Sequence, residues 1–301
     1  MRHKEELMTL KVREMPEGFA LEVLEVQLYE RPSEHTAAEI TAEWADHGVL
    51  VFRRQAISEA ELCGFSGCFG QPERVVRTDW ASQNAPDVGV ISNMRNNAGD
   101  LIGGLGDGEV KWHSDQSYVA HPATGCLLYA VEIPRTGGDT LWANLAHAYA
   151  KLPLRLRQAV EGRKGVFSYT KRLAGYGEDD RKITAEMRAK TPDIVHDLVQ
   201  RNPLTGTASL YFDPTTTIGI VGMPDDEVEA VLTELTEFCT QPEFVYRHRW
   251  QVGDVVMWDN AFLLHRREPF DSSQGRLMKR TTLALSRDTH IVPRGAQAPF
   301  A

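Results

Sequence analysis

Apolar residues three and four apart mark three helices along this chain, each with its own boundary signals. Over 34–48, Ile40 and Trp44 share one helical face, Thr36 with Glu39 three residues on reads as a start, and Gly48 as a stop. Over 58–70, Ser58 and Glu61 form a capping box ahead of Leu62, Phe65 and Phe69. Over 225–239, Val228, Val231, Leu232, Leu235 and Phe238 line one stripe. Shorter apolar or alternating runs predict strands at 49–53, 88–92, 112–119, 124–131, 164–169, 208–212, 243–250, 254–258 and 279–286. "NPLTGT" (202–207) has the Asn, Pro and Gly of a hairpin turn.

Helices do not regularly separate successive strands in the second half, which argues against an alternating βαβ sheet. The pattern predicts a mainly β protein with flanking helices, built as a double-sheet barrel or jelly roll. There is no internal repeat and no low-complexity linker, so residues 1–301 are expected to form a single domain. Two stretches read as loops, the Gly-rich 95–109 and the polar 172–193. Loops of that length in a compact domain are often lids or substrate-binding elements.

Composition narrows the functional classes. A net charge of −9 lacks the basic face that non-specific nucleic-acid binding requires. No apolar run reaches the length of a membrane span, and the N-terminus has no continuous apolar signal core. The 4 cysteines form no Cys-x-x-Cys pair and are too few for a disulfide framework, so a reducing cytoplasm is expected.

Candidate chemistry centres on "VKWHSDQSY" (110–118). On a strand, His113 and Asp115 would leave the same face and converge on one point, as metal ligands do. An Asp that merely orients a neighbouring His has the same spacing. The third candidate ligand is His265, which follows the strand pattern "DVVMW" and the apolar run "AFLL". Two His and one carboxylate fit a non-haem Fe(II) oxygenase, and zinc hydrolases share that donor set. The His-Glu-x-x-His string usual in the latter does not occur. Beyond His265, Arg276, Met278 and Arg280 alternate on a predicted strand, which would point both guanidinium groups into one pocket. Such planar forks suit carboxylates.

Other residues read more simply. His248 shares a face with Phe244, Tyr246 and Trp250 and is expected to be a packed strand residue, while His121, His147, His196 and His290 are expected at the surface or as caps. "IGGLGDG" (102–108) lacks the Lys-Ser/Thr of a phosphate loop and reads as a flexible active-site loop. Trp112 and Tyr118 suit core or pocket wall, and "RRE" (266–268) a solvated face.

Taken jointly, "WHSD" (112–115), "TGGDTLWANL" (136–145), "EFVYRHRWQVGDVVMWDN" (243–260), His265 and "GRLMKR" (275–280) resemble the taurine / 2,4-dichlorophenoxyacetate dioxygenase family, which uses Fe(II) and 2-oxoglutarate. The resemblance runs from about residue 47 to residue 286, and 243–260 is closest to the 2,4-dichlorophenoxyacetate branch. It implies a double-stranded β-helix (jelly-roll) core, with His113, Asp115 and His265 as iron ligands and Thr140 and Arg276 on the distal carboxylate of 2-oxoglutarate. Arg280 is then the group for an acidic substrate, Arg74 and Arg77 stand where the family often places a substrate contact, and the retained Asp115 favours hydroxylation over halogenation. The implied reaction consumes dioxygen and hydroxylates a small anionic molecule, an aryloxyalkanoate-like acid foremost, with release of succinate and CO2. A taurine-like sulfonate, a natural-product intermediate, a zinc-dependent hydrolase and a non-catalytic binding protein are the alternatives. By family analogy the chain is expected as a homodimer or homotetramer.

Overall fold

Strands of four to nine residues that are apolar on both faces need cover on both sides, and this requirement shapes the molecule. The structure is a computed structural model and describes residues 9–16, 18–75, 78–174 and 191–298. Two largely antiparallel sheets face each other. The larger has nine strands; its path runs Val12–Glu14, Leu21–Val23, Val49–Phe52, Val255–Asp259, Gly125–Glu132, Leu277–Leu285, Val88–Ser92, Gly104–Leu105, with Gly70–Pro72 added beside Leu277–Leu285. The smaller has four, in the order Val245–His248, Thr140–Asn144, Leu263–Arg267, Val110–His113. This is the jelly-roll architecture that the alternation of apolar positions implies.

Alternate residues of the central strands serve different layers. Val49, Val51, Cys126, Leu128, Val256, Trp258 and Met278 point between the sheets, where they meet Trp142, Tyr246, Trp250 and Leu263 of the smaller sheet. Their neighbours Leu50, Phe52, Leu127, Val255, Met257 and Leu283 face outward onto the first two helices through Ile40, Trp44, Leu62 and Phe65. The outer face of the smaller sheet, including Ala143 and Leu264, is covered by the helices Leu145–Ala150, Leu154–Val160 and Asp225–Cys239. Each fully buried side chain of this size contributes about 1.5–3 kcal/mol. His265 lies two residues after the inward Leu263, so it points between the sheets.

Several boundaries differ from those the sequence suggests. The first helix is Glu34–His47 and is capped by Ser33, whose hydroxyl accepts from the Thr36 backbone, while Gly48 closes it at φ 77°. The Ser58–Glu61 capping box is present, but its helix ends at Ser66. The strand expected over 112–119 stops at His113, and residues 115–118 form a turn. The hairpin at 202–207 is present, joining Val199–Arg201 to Ala208–Leu210. Of the expected 172–193 loop, 172–174 end the helix Tyr169–Ala174 and 175–190 lie outside the described residues. No helix among the described residues is long and apolar enough to cross a membrane.

Candidate metal and cosubstrate site

His113 and His265 are placed directly opposite each other in the ladder between Val110–His113 and Leu263–Arg267, with ring centroids 4.1 Å apart. Asp115 reaches the same point from the turn that follows, not from strand alternation. Its Oδ1 lies 3.6 Å from His113 Nε2 and its Oδ2 3.8 Å from His265 Nε2. One ligating atom from each of the three lies within 4.8 Å of the others. His113 Nδ1 is 2.7 Å from the Lys111 carbonyl, to which an Nδ1–H donates, so Nε2 keeps its lone pair toward the cluster.

Electrostatics favour this donor set. Burial, then the neighbouring charge of His113, holds His265 well below the ordinary imidazole range, so the ring stays neutral. Burial works against ionisation of Asp115, yet Arg280 first, then His113 and His265, outweigh it and keep the carboxyl well below 3.8. Two imidazoles and a carboxylate are what a divalent ion such as Fe(II) accepts on one face. Among the described residues, His265 Nδ1 and Arg276 Nε are buried with no hydrogen-bond partner.

The two arginines differ. Arg280 lies two residues after the inward Met278, and its Nη1 is 3.1 Å from Asp115 Oδ2. Arg276 precedes the strand Leu277–Leu285, whose register shifts between Leu277 and Met278, so simple alternation does not connect the two. Arg276 is 2 % exposed and no acid among the described residues pairs with it. Burial, then the charge of Arg267, lowers it to about 9. Its backbone is held by Asn93 Oδ1 at 2.9 Å. The "TGG" turn lies alongside: Gly137 has φ 77°, and a Cβ there would sit 2.7 Å from the Pro269 carbonyl oxygen, so only glycine allows the approach. Thr140 is buried, and its Oγ1 accepts from Trp250 Nε1 at 3.0 Å, which leaves its O–H to donate elsewhere.

Residues around the site depart in part from expectation. Arg267 is buried rather than solvated: it donates to the carbonyls of Leu105, Gly106 and Gly108 and so clamps the glycine-rich loop onto the smaller sheet. Arg266 stacks over Trp112 at 5.4 Å. Tyr118 packs on Tyr169 at 4.9 Å. His248 is wholly buried between Tyr246 and Asp254, as its strand face predicts. His121 and His147 are exposed. His196 and His290 are not surface groups, because aromatic neighbours bury them, and that burial lowers both to about 4. Arg74 is exposed, and Arg77 lies outside the described residues. Sequence reasoning missed Trp250, Asn93 and Asp213; only the last has a local signature, Asp-Pro followed by three threonines.

Comparison with known proteins decides the class of this site. The profile of the "Taurine catabolism dioxygenase TauD, TfdA family" matches residues 11–282. The chain belongs to this family. It is 32% identical over 279 residues to the alpha-ketoglutarate-dependent 2,4-dichlorophenoxyacetate dioxygenase of Cupriavidus pinatubonensis, covering 88% of this chain and 94% of that protein. It is 31% identical to pentalenolactone F synthase of Streptomyces avermitilis, covering 78% and 80%. The crystal structure of AAD-2 in complex with Mn(II) and N-oxalylglycine superposes with a TM-score of 0.78 at 29% identity, covering 93% of this chain and 98% of that one. The family member described here is a 2-oxoglutarate-dependent dioxygenase that uses Fe(II).

Proposed function

We propose that His113, Asp115 and His265 hold the ferrous ion, that Thr140 and Arg276 hold the distal carboxylate of 2-oxoglutarate, and that Arg280 receives the acid group of a small aryloxyalkanoate. The metal assignment is supported by the Nδ1 of His113 bound to the Lys111 carbonyl, which leaves Nε2 for the cluster, by the ionised Asp115 and by the buried neutral His265. The cosubstrate assignment is supported by a buried guanidinium that no acid of the described chain neutralises. A carboxylate there would gain a desolvated, bidentate partner, and the Thr140 O–H would add a third donor.

When bound, Fe(II) and 2-oxoglutarate supply dioxygen activation coupled to decarboxylation, which releases succinate and CO2 and leaves one oxygen atom for the substrate. The chain's own contribution is orientation and exclusion of water. Arg276 fixes one end of the cosubstrate, and Trp250 fixes the polarity of the Thr140 hydroxyl. Arg280, beside Asp115, sets how far an acidic substrate's anionic end lies from the metal, and hence which carbon is presented. For an aryloxyalkanoate that carbon bears the ether oxygen, and its hydroxylation gives a hemiacetal that collapses to a phenol and a 2-oxo acid.

The observation that carries the substrate reading is Arg280 Nη1 at 3.1 Å from Asp115 Oδ2, a cation at the edge of the metal cluster. Three residues beyond Asp115, Tyr118 packs on Tyr169 at 4.9 Å, and flat aromatic surface of this kind suits an aryl ring. The test is succinate formation from Fe(II)-loaded protein and 2-oxoglutarate over a panel of aryloxyacetates, aryloxypropionates, alkyl sulfates, taurine and terpenoid acids. An aryloxyalkanoate that yields succinate and phenol in equal amounts supports the reading. Turnover confined to a sulfonate, sulfate ester or terpenoid acid overturns the substrate class and leaves the cofactor assignment standing.

A further inference from the structure

The turn that carries Asp115 is not held in place by the strand before it. Ser114 N donates to Asp213 Oδ2 at 3.2 Å, and Ser117 Oγ donates to the same oxygen at 2.7 Å. A single carboxylate oxygen therefore ties Ser114, just before the turn, to Ser117 within it. The other oxygen, Oδ1, accepts from Thr215 N and from Thr215 Oγ1, each at 2.7 Å. Asp213 is wholly buried, and its own N–H donates to Thr217 Oγ1 at 2.9 Å. Every acceptor and donor of this residue is directed at a fixed partner. Two cations stand close by: Lys171 donates to the Thr217 carbonyl at 2.6 Å, its ammonium lowered by burial and supported by the Asp213 charge, and Arg172 Nη1 donates to Thr215 Oγ1 at 2.7 Å.

The turn needs such a clamp. Gln116, next to Asp115, has φ 55°, the left-handed region that a non-glycine residue enters at a cost of about 1–2 kcal/mol. Strain of this kind persists only where surrounding contacts over-determine it. Besides Asp213, Ser114 Oγ donates to the Asn260 carbonyl at 2.7 Å, Gln116 Oε1 accepts from Ala123 N at 3.2 Å, and Ser117 Oγ shares a 2.8 Å hydrogen bond with Thr216 Oγ1.

We propose that Asp213 is a positioning residue that sets the place of the Asp115 carboxylate against the two imidazoles, and thereby sets metal affinity; this rests on the metal reading of the triad. Asp213 touches neither the imidazoles nor a carboxylate of the cluster and acts through the backbone of 114–117. Replacing Asp213 by Asn keeps its volume but sets an NH2 group against donors on one of its two sides, so the clamp fails at Ser114 and Ser117 or at Thr215.

The experiment measures Mn(II) dissociation constants by EPR, 2-oxoglutarate affinity at saturating Mn(II), and the Co(II) ligand-field spectrum. Partners that orient metal ligands are typically worth about 10- to 100-fold in affinity, so Asp213→Asn should weaken Mn(II) at least about 10-fold and shift the Co(II) bands. Its 2-oxoglutarate affinity at saturating metal should stay within about 3-fold, a split that a general loss of stability does not produce. Ser117→Ala, which removes one donor and folds more safely, should weaken Mn(II) about 3-fold or more, whereas Thr215→Val should leave it within about 2-fold. Unchanged Mn(II) affinity in Ser117→Ala and Asp213→Asn, with Asp115→Ala abolishing binding, overturns the Asp213 proposal alone. Intact Mn(II) binding in Asp115→Ala overturns the triad reading beneath it. If Asp213→Asn does not fold, the Ser117→Ala against Thr215→Val comparison decides.

Discussion

Arg276→Met removes a buried charge that no acid among the described residues neutralises. Methionine fills a similar elongated volume, and the backbone N–H of residue 276 keeps its bond to Asn93 Oδ1. Burial and the nearby Arg267 lower the guanidinium from 12.5 to about 9. At about 1.4 kcal/mol per unit this opposes the charged form by several kcal/mol. Replacing buried charge by well-packed apolar groups commonly stabilises by about 1–4 kcal/mol, and about 2 °C in Tm accompanies each kcal/mol at this chain length. In chelator and without cosubstrate, the variant should therefore melt about 2–8 °C higher than the parent. Cosubstrate binding should show the opposite effect. Losing one partner of a desolvated, hydrogen-bonded charge pair costs about 2–5 kcal/mol, which is about 30-fold to a few thousand-fold in 2-oxoglutarate affinity. The assay is differential scanning fluorimetry with and without 2-oxoglutarate, paired with anaerobic calorimetry on Mn(II)-loaded protein. A variant that melts lower and binds 2-oxoglutarate within about 5-fold of the parent refutes the reasoning.

Further expectations follow from other parts of the site and core. Thr140→Val should weaken 2-oxoglutarate about 10- to 160-fold by calorimetry, because a single hydrogen bond to a charged group is worth about 1.5–3 kcal/mol; an unchanged affinity would place the cosubstrate elsewhere. Asp115→Ala should abolish Mn(II) binding in equilibrium dialysis, with the protein still folded by circular dichroism. Burial pushes Asp259 up to about 8, and its Oδ2 has no partner among the described residues. Its carboxyl stays protonated in the fold while the unfolded chain releases the proton near 3.8, so its contribution is full below pH 4 and falls as pH rises toward about 8. The slope is at most about 1.4 kcal/mol per pH unit. Asp259→Asn should flatten that fall in chemical denaturation between pH 5 and 8, and parallel profiles for variant and parent would contradict the assignment.

Period-two and period-3.6 patterns made the sandwich and its helices legible, because continuous apolar strands such as "VLVF" must be buried on both faces. Edge strands of two or three residues, such as Gly104–Leu105 and Ala296–Gln297, were not legible, since pairing with distant backbone rather than local propensity makes them strands. The same non-locality explains the misread 112–119. Alternation predicts that His113 and Asp115 share a strand face, yet they converge because Asp213, nearly a hundred residues on, folds the chain after His113 into a turn. Likewise, nothing beside His196 or His290 in the chain announces the aromatic rings that bury them. Arg267 stands in a charged run, and only the loop carbonyls it meets reveal it as a clamp.

The most direct measurement is a crystal structure of the protein grown with Mn(II) and N-oxalylglycine. The account predicts one ion bonded to His113 Nε2, an Asp115 oxygen and His265 Nε2, with the far carboxylate of the analogue forked on Arg276 and touching Thr140 Oγ1. An ion that leaves out any of the three side chains, or an analogue whose far carboxylate sits on Arg280 instead, contradicts it.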